Sequence, residues 1–454
     1  MKRLIFSSFT QTLDQVRALR AEMIRIEGNA KSRFFAKSSQ PRVLLSAYQC
    51  GPGMGSVSQI GWEWYTRLSR RLSTTLITHV RNQKAITAAG IPQSADIVYV
   101  DTEWFAGPLY RLATRLFPKS EHTVFLLSSL DFFLFDRQAK RMIQKRMNGG
   151  ESWDLIHVVT PLTMAAPTCL HQLQFPLIRG PLNSGLGTPK TFSSIMKEDS
   201  AWLYPVRNIS RLLDGIMGCT RNSAMILTAT RATVEAVPRK YQRKCHAMLE
   251  NGVDLSRFIQ APWPSPPSVR NPLNVLFVGR LVPAKGIPFL LKALAKLKGT
   301  IPVQARIVGE GPMEQEWKTM AGECGVSDIV HFLGNRSLDQ VAEELRSAHV
   351  LCLPSVRESG GAVLLEAMAM ARPVIAIAFG GPAELVDKEV GEPIEPLGPE
   401  AVVNALARAF SDIVRNPESW IQRGKEGRRR AEQQYGWDAK IKAAVRLYDQ
   451  VLQR

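Results

Sequence analysis

Short runs of apolar residues alternate with amphipathic stretches along most of the chain beyond Pro41. In the first half these runs are RVLLSAY (42–48), TTLITHV (74–80), DIVYVD (96–101), DLIHVVT (154–160), AMILTAT (224–230) and HAMLENGVD (246–254). In the second half they are NVLFVGR (274–280), RIVGEGP (306–312), IVHFLGN (329–335), VLCL (350–353) and VIAIAF (374–379). Runs this short, rich in β-branched residues and bounded by turn residues, read as strands buried on both faces. Helical stretches lie between them; over 58–72, for example, Ile60, Trp64 and Leu68 fall near one face. Such alternation predicts α/β folding around parallel, doubly wound sheets, with ligands gathered at the carboxyl ends of the strands.

The pattern breaks at FIQAPWPSPPSVRNP (258–272), where five prolines bar both helix and sheet. We place a domain boundary there. Two α/β domains follow, 41–262 and 263–435, with a basic extension at 1–40 and an amphipathic terminal helix in 436–454. IRGPLNSGLGTPK (178–190) is expected to be a glycine- and proline-rich loop following a short strand.

Candidate chemistry concentrates after VLCL. Pro354-Ser355 stops that strand, and Glu358 and Glu366 follow with seven residues between them. Ser359 is a candidate cap for a helix over 362–371, ending at Arg372 before Pro373, and Gly360-Gly361 lets the backbone approach a ligand. Amides at a helix start attract phosphate, while Glu366, one turn in, tilts back toward the same end and accepts hydrogen bonds from hydroxyls. One helix start could thus hold a diphosphate with sugars on either side; a solvated Glu pair beside an ordinary strand–loop–helix remains the alternative. GRLVPAKG (279–286) adds Arg280 and Lys285 on a strand-to-helix loop, two cations for a diphosphate or two solvated surface charges. QCGPGMGS (49–56), with Gly51, Gly53 and Gly55, is either a phosphate-approach corner or a tight turn, and no Gly-Lys-Ser/Thr follows it.

RESGGAVLLEAMAMARPVIAIAFGGPAELV (357–386) and GRLVPAKG resemble the Glu-x7-Glu and Gly-Arg-x4-Lys-Gly patterns of the retaining glycosyltransferases of family 4. The resemblance runs from about Arg42 onward and is closer in the second half. It implies the GT-B architecture, two Rossmann-like domains facing a cleft, the first for the acceptor and the second for the nucleotide. By the same resemblance Glu366 holds the donor ribose and Glu358 lies beside the transferred sugar. Arg280 and Lys285 meet the diphosphate, with Gly279, Gly360, Gly361 and Ala362 close to the donor. The Gly309 turn flanks the nucleotide, and Gly334-Asn335 passes the base. His157, in an Asp-x-x-His strand, would face the donor sugar. Asn183 and Gly185 would lie at the cleft, with Gly53 and Gly55 as a further phosphate or acceptor loop, and Trp437 would staple the halves together. One departure stands out: many members carry an aromatic residue where Gly360 stands.

Charge and cysteine content narrow the picture. The 454 residues carry a net charge of +18, which attracts nucleotides, lipid-linked phosphates or anionic membrane surfaces. The positive charge is dispersed and no reader module is evident, so nucleic acid is not an expected partner. Six cysteines without paired spacing point to thiols in a reducing cytoplasm. No secretory signal or spanning segment is evident. VFLLSSLDFFLFD (124–136) is too short to span and carries Asp131, and WFAGPLYRLATRLF (104–117) sets aromatic residues among arginines. No Asp-x-Asp pair occurs to carry a metal-bridged diphosphate. The expected function is metal-independent, retaining transfer of a sugar from a UDP- or GDP-linked donor, with no other cofactor, to a glycan or lipid-linked acceptor. It would take place in the cytoplasm, on the inner membrane face when peripheral, in cell-surface polysaccharide or lipopolysaccharide assembly. A non-catalytic nucleotide-sugar or membrane adaptor and a GT-B epimerase or phosphorylase are the rivals.

Overall fold

The computed structural model describes residues 40–91, 95–116, 130–187, 189–192 and 213–454. The basic extension and the first part of VFLLSSLDFFLFD lie outside the described residues. The apolar runs do form strands, in two all-parallel sheets. The first takes β1 (Arg42–Ala47), β2 (Ser73–His79), β3 (Ile97–Val100), β4 (Leu155–Thr160), β5 (Leu177–Leu182), β6 (Met225–Thr228) and β7 (Cys245–Ala247) in the order β3-β2-β1-β4-β5-β6-β7. The second takes β8 (Leu273–Val278), β9 (Val303–Val308), β10 (Val330–Phe332), β11 (Val350–Leu353), β12 (Val374–Ile377) and β13 (Gly391–Ile394) in the order β10-β9-β8-β11-β12-β13. In both, the strand order reverses beside the first strand of the sheet, which opens a crevice at the carboxyl ends.

Each sheet is sandwiched by helices, so its strands are buried on both faces. In β11 and β12 every residue is buried, and they share one core with the helix Ile287–Leu297 and the helix Pro399–Arg415. The first sheet has apolar clusters on either side. One holds Trp64 and Leu68 of helix α1 (Ser56–Leu68). The other holds Phe132, Phe135 and Ile143 of the helix Asp131–Asn148. Trp104, in the helix Glu103–Leu116, is exposed together with Tyr110 and Leu112.

Three local expectations change. IRGPL does not follow a strand; it is most of β5, with a cis Gly180–Pro181 bond, and the loop is confined to the residues after Leu182. The helix after Glu358, α2 (Ala362–Ala369), is capped by Gly361 in a left-handed conformation at φ 53°, without a side-chain cap from Ser359. It also ends earlier than Arg372, because Ala371 takes φ 59° and turns the chain inward. That turn buries Arg372, whose guanidinium donates to the carbonyls of Leu345 (2.9 Å), Arg346 (3.1 Å), Ala261 (3.3 Å) and Pro262 (2.7 Å). Four backbone acceptors satisfy the buried cation and anchor the start of the proline-rich linker, which outweighs continuation of the helix.

The terminal helix α3 (Trp437–Leu452) follows a π-turn over Ala431–Tyr435 and packs on the first sheet's core through Trp437, Ile441, Ala444 and Tyr448. Val253 N–H donates to Tyr435 O at 3.0 Å and Trp437 N–H to Val253 O at 3.1 Å, a single parallel bridge across the chain reversal. The Asn251-Gly252 turn is glycine at 252 because a Cβ there would lie 2.7 Å from the Trp437 ring.

Candidate active site between two facing sheets

The second sheet builds one wall. β8 ends at Val278, and the loop after it carries Gly279, Arg280 and Lys285; β11 ends at Leu353, and its loop carries Glu358 into α2. The two loops are locked together by glycines. A Cβ at Gly286 (φ 67°) would fall 2.0 Å from Pro354 O, and Val356 N–H donates to Ala284 O at 2.9 Å. This close approach brings Lys285 Nζ into a direct ion pair with a Glu358 carboxylate oxygen, both side chains partly buried. On the other side of the Glu358 loop, Gly381 N–H donates to Glu358 O at 3.1 Å.

Glu366 lies one turn inside α2, partly buried, and burial lifts its carboxyl from the usual range to about 7, with Arg257 drawing it partly back. Such a carboxyl is about half ionised near neutral pH, and its ionised form is the stronger acceptor of hydroxyl donors. The glycines at the ends of β8, β9 and β10 converge. Gly309 (φ 132°) sits so close to Gly279 that a Cβ would lie 1.9 Å from Gly279 O, and its N–H donates to Gly334 O at 2.8 Å. Asn335, exposed, takes a longer bond from its N–H to Glu310 Oε1 at 3.4 Å. Ala362 is exposed at the first turn of α2.

The first sheet supplies the opposite wall. A cavity of about 790 Å³ is bounded by Thr163, Asn183, Gly185 and Arg239 on one side and Arg357, Glu358 and Ser359 on the other. Across it the halves touch: a Cβ at Gly380 would lie 3.0 Å from the Leu186 side chain, and Arg231 N–H donates to Glu384 Oε1 at 2.7 Å. Gly53 and Gly55, both at positive φ, stand in open space at the start of α1 and are not among the residues bounding this cavity.

His157 is a correction. It is 0 % exposed in β4, with Nδ1 at 2.6 Å from Tyr448 Oη and Nε2 at 2.7 Å from Gly180 O, and its ring meets Trp64 edge-on. The carbonyl requires Nε2–H, so Nδ1 accepts the tyrosine proton, and both nitrogens are used inside the protein. Burial lowers its pKa to about 4. Packing against α3 takes this histidine out of the cleft.

The first domain contributes residues that sequence patterns did not single out. Glu250 is 3 % exposed, and its Oε1 accepts from Asn183 Nδ2 at 2.6 Å. Lys440 of α3, also buried, donates to the carbonyls of Leu249, Glu250 (2.7 Å) and Asn251 (2.9 Å). Glu250 lies within the HAMLENGVD run and Lys440 within the amphipathic terminal helix, and no short-range pattern marks either of them.

Two parallel-sheet, Rossmann-like domains facing a cleft define the GT-B fold. Anabaena HepE, solved in complex with UDP, superposes with a TM-score of 0.59 at 17% identity, covering 90% of this chain and 100% of HepE. In sequence, residues 264–427 match the family of glycosyl transferases group 1. An uncharacterized glycosyltransferase of Methanocaldococcus jannaschii is 26% identical over 318 residues, 66% of this chain and 76% of its own length. A D-inositol 3-phosphate glycosyltransferase of Streptomyces avermitilis is 30% identical over 246 residues, 50% of this chain; the match spans about half of that relative's length, 52%.

Proposed function

We propose that the protein is a retaining, metal-independent glycosyltransferase of family 4 that moves a hexosyl unit from a UDP- or GDP-sugar to a hydroxyl of a glycan or glycolipid. The observation that carries this reading is the Lys285–Glu358 pair at the mouth of α2, with Glu366 one turn inside and a cavity leading to the first domain. A cation for phosphate, a carboxylate for sugar hydroxyls and a second carboxylate for ribose meet at one helix start. The group 1 match over 264–427 falls on the same half of the chain.

Breaking the bond between the anomeric carbon and the diphosphate oxygen leaves negative charge on the phosphate. In this reading Lys285, Arg280 and the α2 amides stabilise that charge as it develops, as preorganised donors do at other anions. The acceptor hydroxyl attacks from the leaving-group side, its proton passes to the departing phosphate oxygen, and the anomeric configuration is retained. Lys285 is paired with Glu358, and in this reading donor binding exchanges that carboxylate partner for phosphate and releases Glu358 toward the sugar. The adaptor alternative leaves this set of charges without a task. No helix among the described residues is long and apolar enough to cross a membrane. A cytoplasmic, peripheral role in cell-surface polysaccharide or lipopolysaccharide assembly follows the family resemblance and the +18 charge.

The test is incubation with UDP- and GDP-sugars and a glycolipid extract, with product configuration read by NMR. The proposal expects the donor's anomeric configuration in the product; the opposite configuration overturns retention, and formation of sugar phosphate only when inorganic phosphate is added, with no acceptor, favours a phosphorylase.

A further inference from the structure

A buried carboxylate with a vacant acceptor is costly, and folded chains keep few of them. Glu250 is one. Its Oε1 is used by Asn183, while Oε2 is buried without a hydrogen-bond partner among the described residues. Its position is the seam between the halves. A Cβ at Gly360, two residues after Glu358, would lie 2.3 Å from Glu250 Oε1 and 2.1 Å from Asn251 Nδ2. Only the bare backbone of glycine leaves room for this carboxylate beside the Glu358 loop.

The surroundings hold Glu250 in place rather than neutralise it. Lys440 fixes the backbone of residues 249–251 by donating to their three carbonyls, so its ammonium acts on the Glu250 carboxylate only as a nearby charge. Asn183, which donates to it, also bounds the 790 Å³ cavity together with Glu358. Burial and the nearby Glu358 charge both push the Glu250 carboxyl above its usual range. A core position with no ligand would be served equally well by glutamine or leucine.

We infer that Glu250 is a sugar-binding residue of this site, its Oε2 accepting a hydrogen bond from a hydroxyl of the donor's transferred sugar beside the Gly360 backbone. This rests on the glycosyltransferase reading above. The carboxylate would select neutral, hydroxyl-bearing sugars and disfavour uronic acids, because a second carboxylate there would face both Glu250 and Glu358.

Glu250→Gln keeps the volume and the Asn183 bond while replacing the acceptor Oε2 with a donor. Full-length wild type and variant are titrated calorimetrically with UDP and UDP-glucose, and with GDP and GDP-mannose. The quantity read is the affinity that the sugar adds over the bare nucleotide, with Tm alongside. The expected result is an unchanged Tm, nucleotide binding within about twofold of wild type, and loss of about ten- to hundredfold from the sugar's contribution. An unchanged sugar contribution overturns the assignment. So does an equal loss of nucleotide affinity or a lowered Tm, which would make Glu250 a structural residue. Failure of wild-type protein to bind either nucleotide strikes the glycosyltransferase reading itself, and is seen without the variant.

Discussion

Replacing Glu366 with glutamine tests whether a half-neutral carboxylate waits for the ribose. With its pKa at about 7, only ~10 % of the group is ionised at pH 6 and ~90 % at pH 8. If the ionised form accepts the ribose hydroxyls, nucleotide affinity should tighten by about tenfold across that range, and binding at pH 7 should release about half a proton from this carboxyl. Phosphate ionisation near pH 6 adds its own slope, so Glu366→Gln is the reference: its affinity should lack the tenfold term. Calorimetry in buffers of different ionisation enthalpy counts the proton. Stability runs the other way. A carboxyl whose folded pKa is raised has no effect below about pH 4.5, where both states are neutral; folding then loses stability as pH rises toward 7. The loss levels off at about 3 kcal/mol. At pH 8 the free variant should therefore melt higher than wild type while gaining less stabilisation from nucleotide. Identical pH dependence of binding in both proteins would refute the assignment of Glu366 to the ribose.

Arg280→Ala should lower turnover more than donor affinity, and equal losses would contradict a role in stabilising the leaving diphosphate. Gly360→Ala places a methyl group against Glu250 and Asn251 and should cost about 1–3 kcal/mol in denaturant unfolding, together with lower transfer activity; an unaffected enzyme would show that the seam opens freely. Lys440→Met leaves three carbonyls without their donor and should destabilise the fold by roughly 3 kcal/mol, measured by chemical denaturation, with nucleotide affinity preserved. His157→Phe should cost about 3 kcal/mol, from the orphaned Tyr448 hydroxyl and Gly180 carbonyl, and leave turnover per folded molecule unchanged. A collapse of turnover at constant stability would restore it to the chemistry.

Strands were legible because both sheets are buried on both faces, which writes them into the chain as apolar runs such as VLCL, reproduced as Val350–Leu353. The meeting of Lys285 and Glu358 was legible for a related reason: the candidate site lies on two short loops whose glycines and charges are close in sequence. Residues that depend on the chain's return were not. His157 was placed by its strand context, yet what decides its environment is Tyr448, 291 residues away on α3. Glu250 and Lys440 stand 190 residues apart and meet only because α3 crosses back. The end of α2 was misjudged because Arg372 finds its four carbonyls in other segments, a tertiary gain that no helix propensity reports.

The central claim, a nucleotide-sugar site on the second domain, is tested most directly by calorimetric titration of full-length protein with UDP and with GDP, beside Glu366→Ala. The account predicts one-to-one binding of at least one nucleotide and its loss in the variant. Well-folded wild-type protein that binds neither would contradict it.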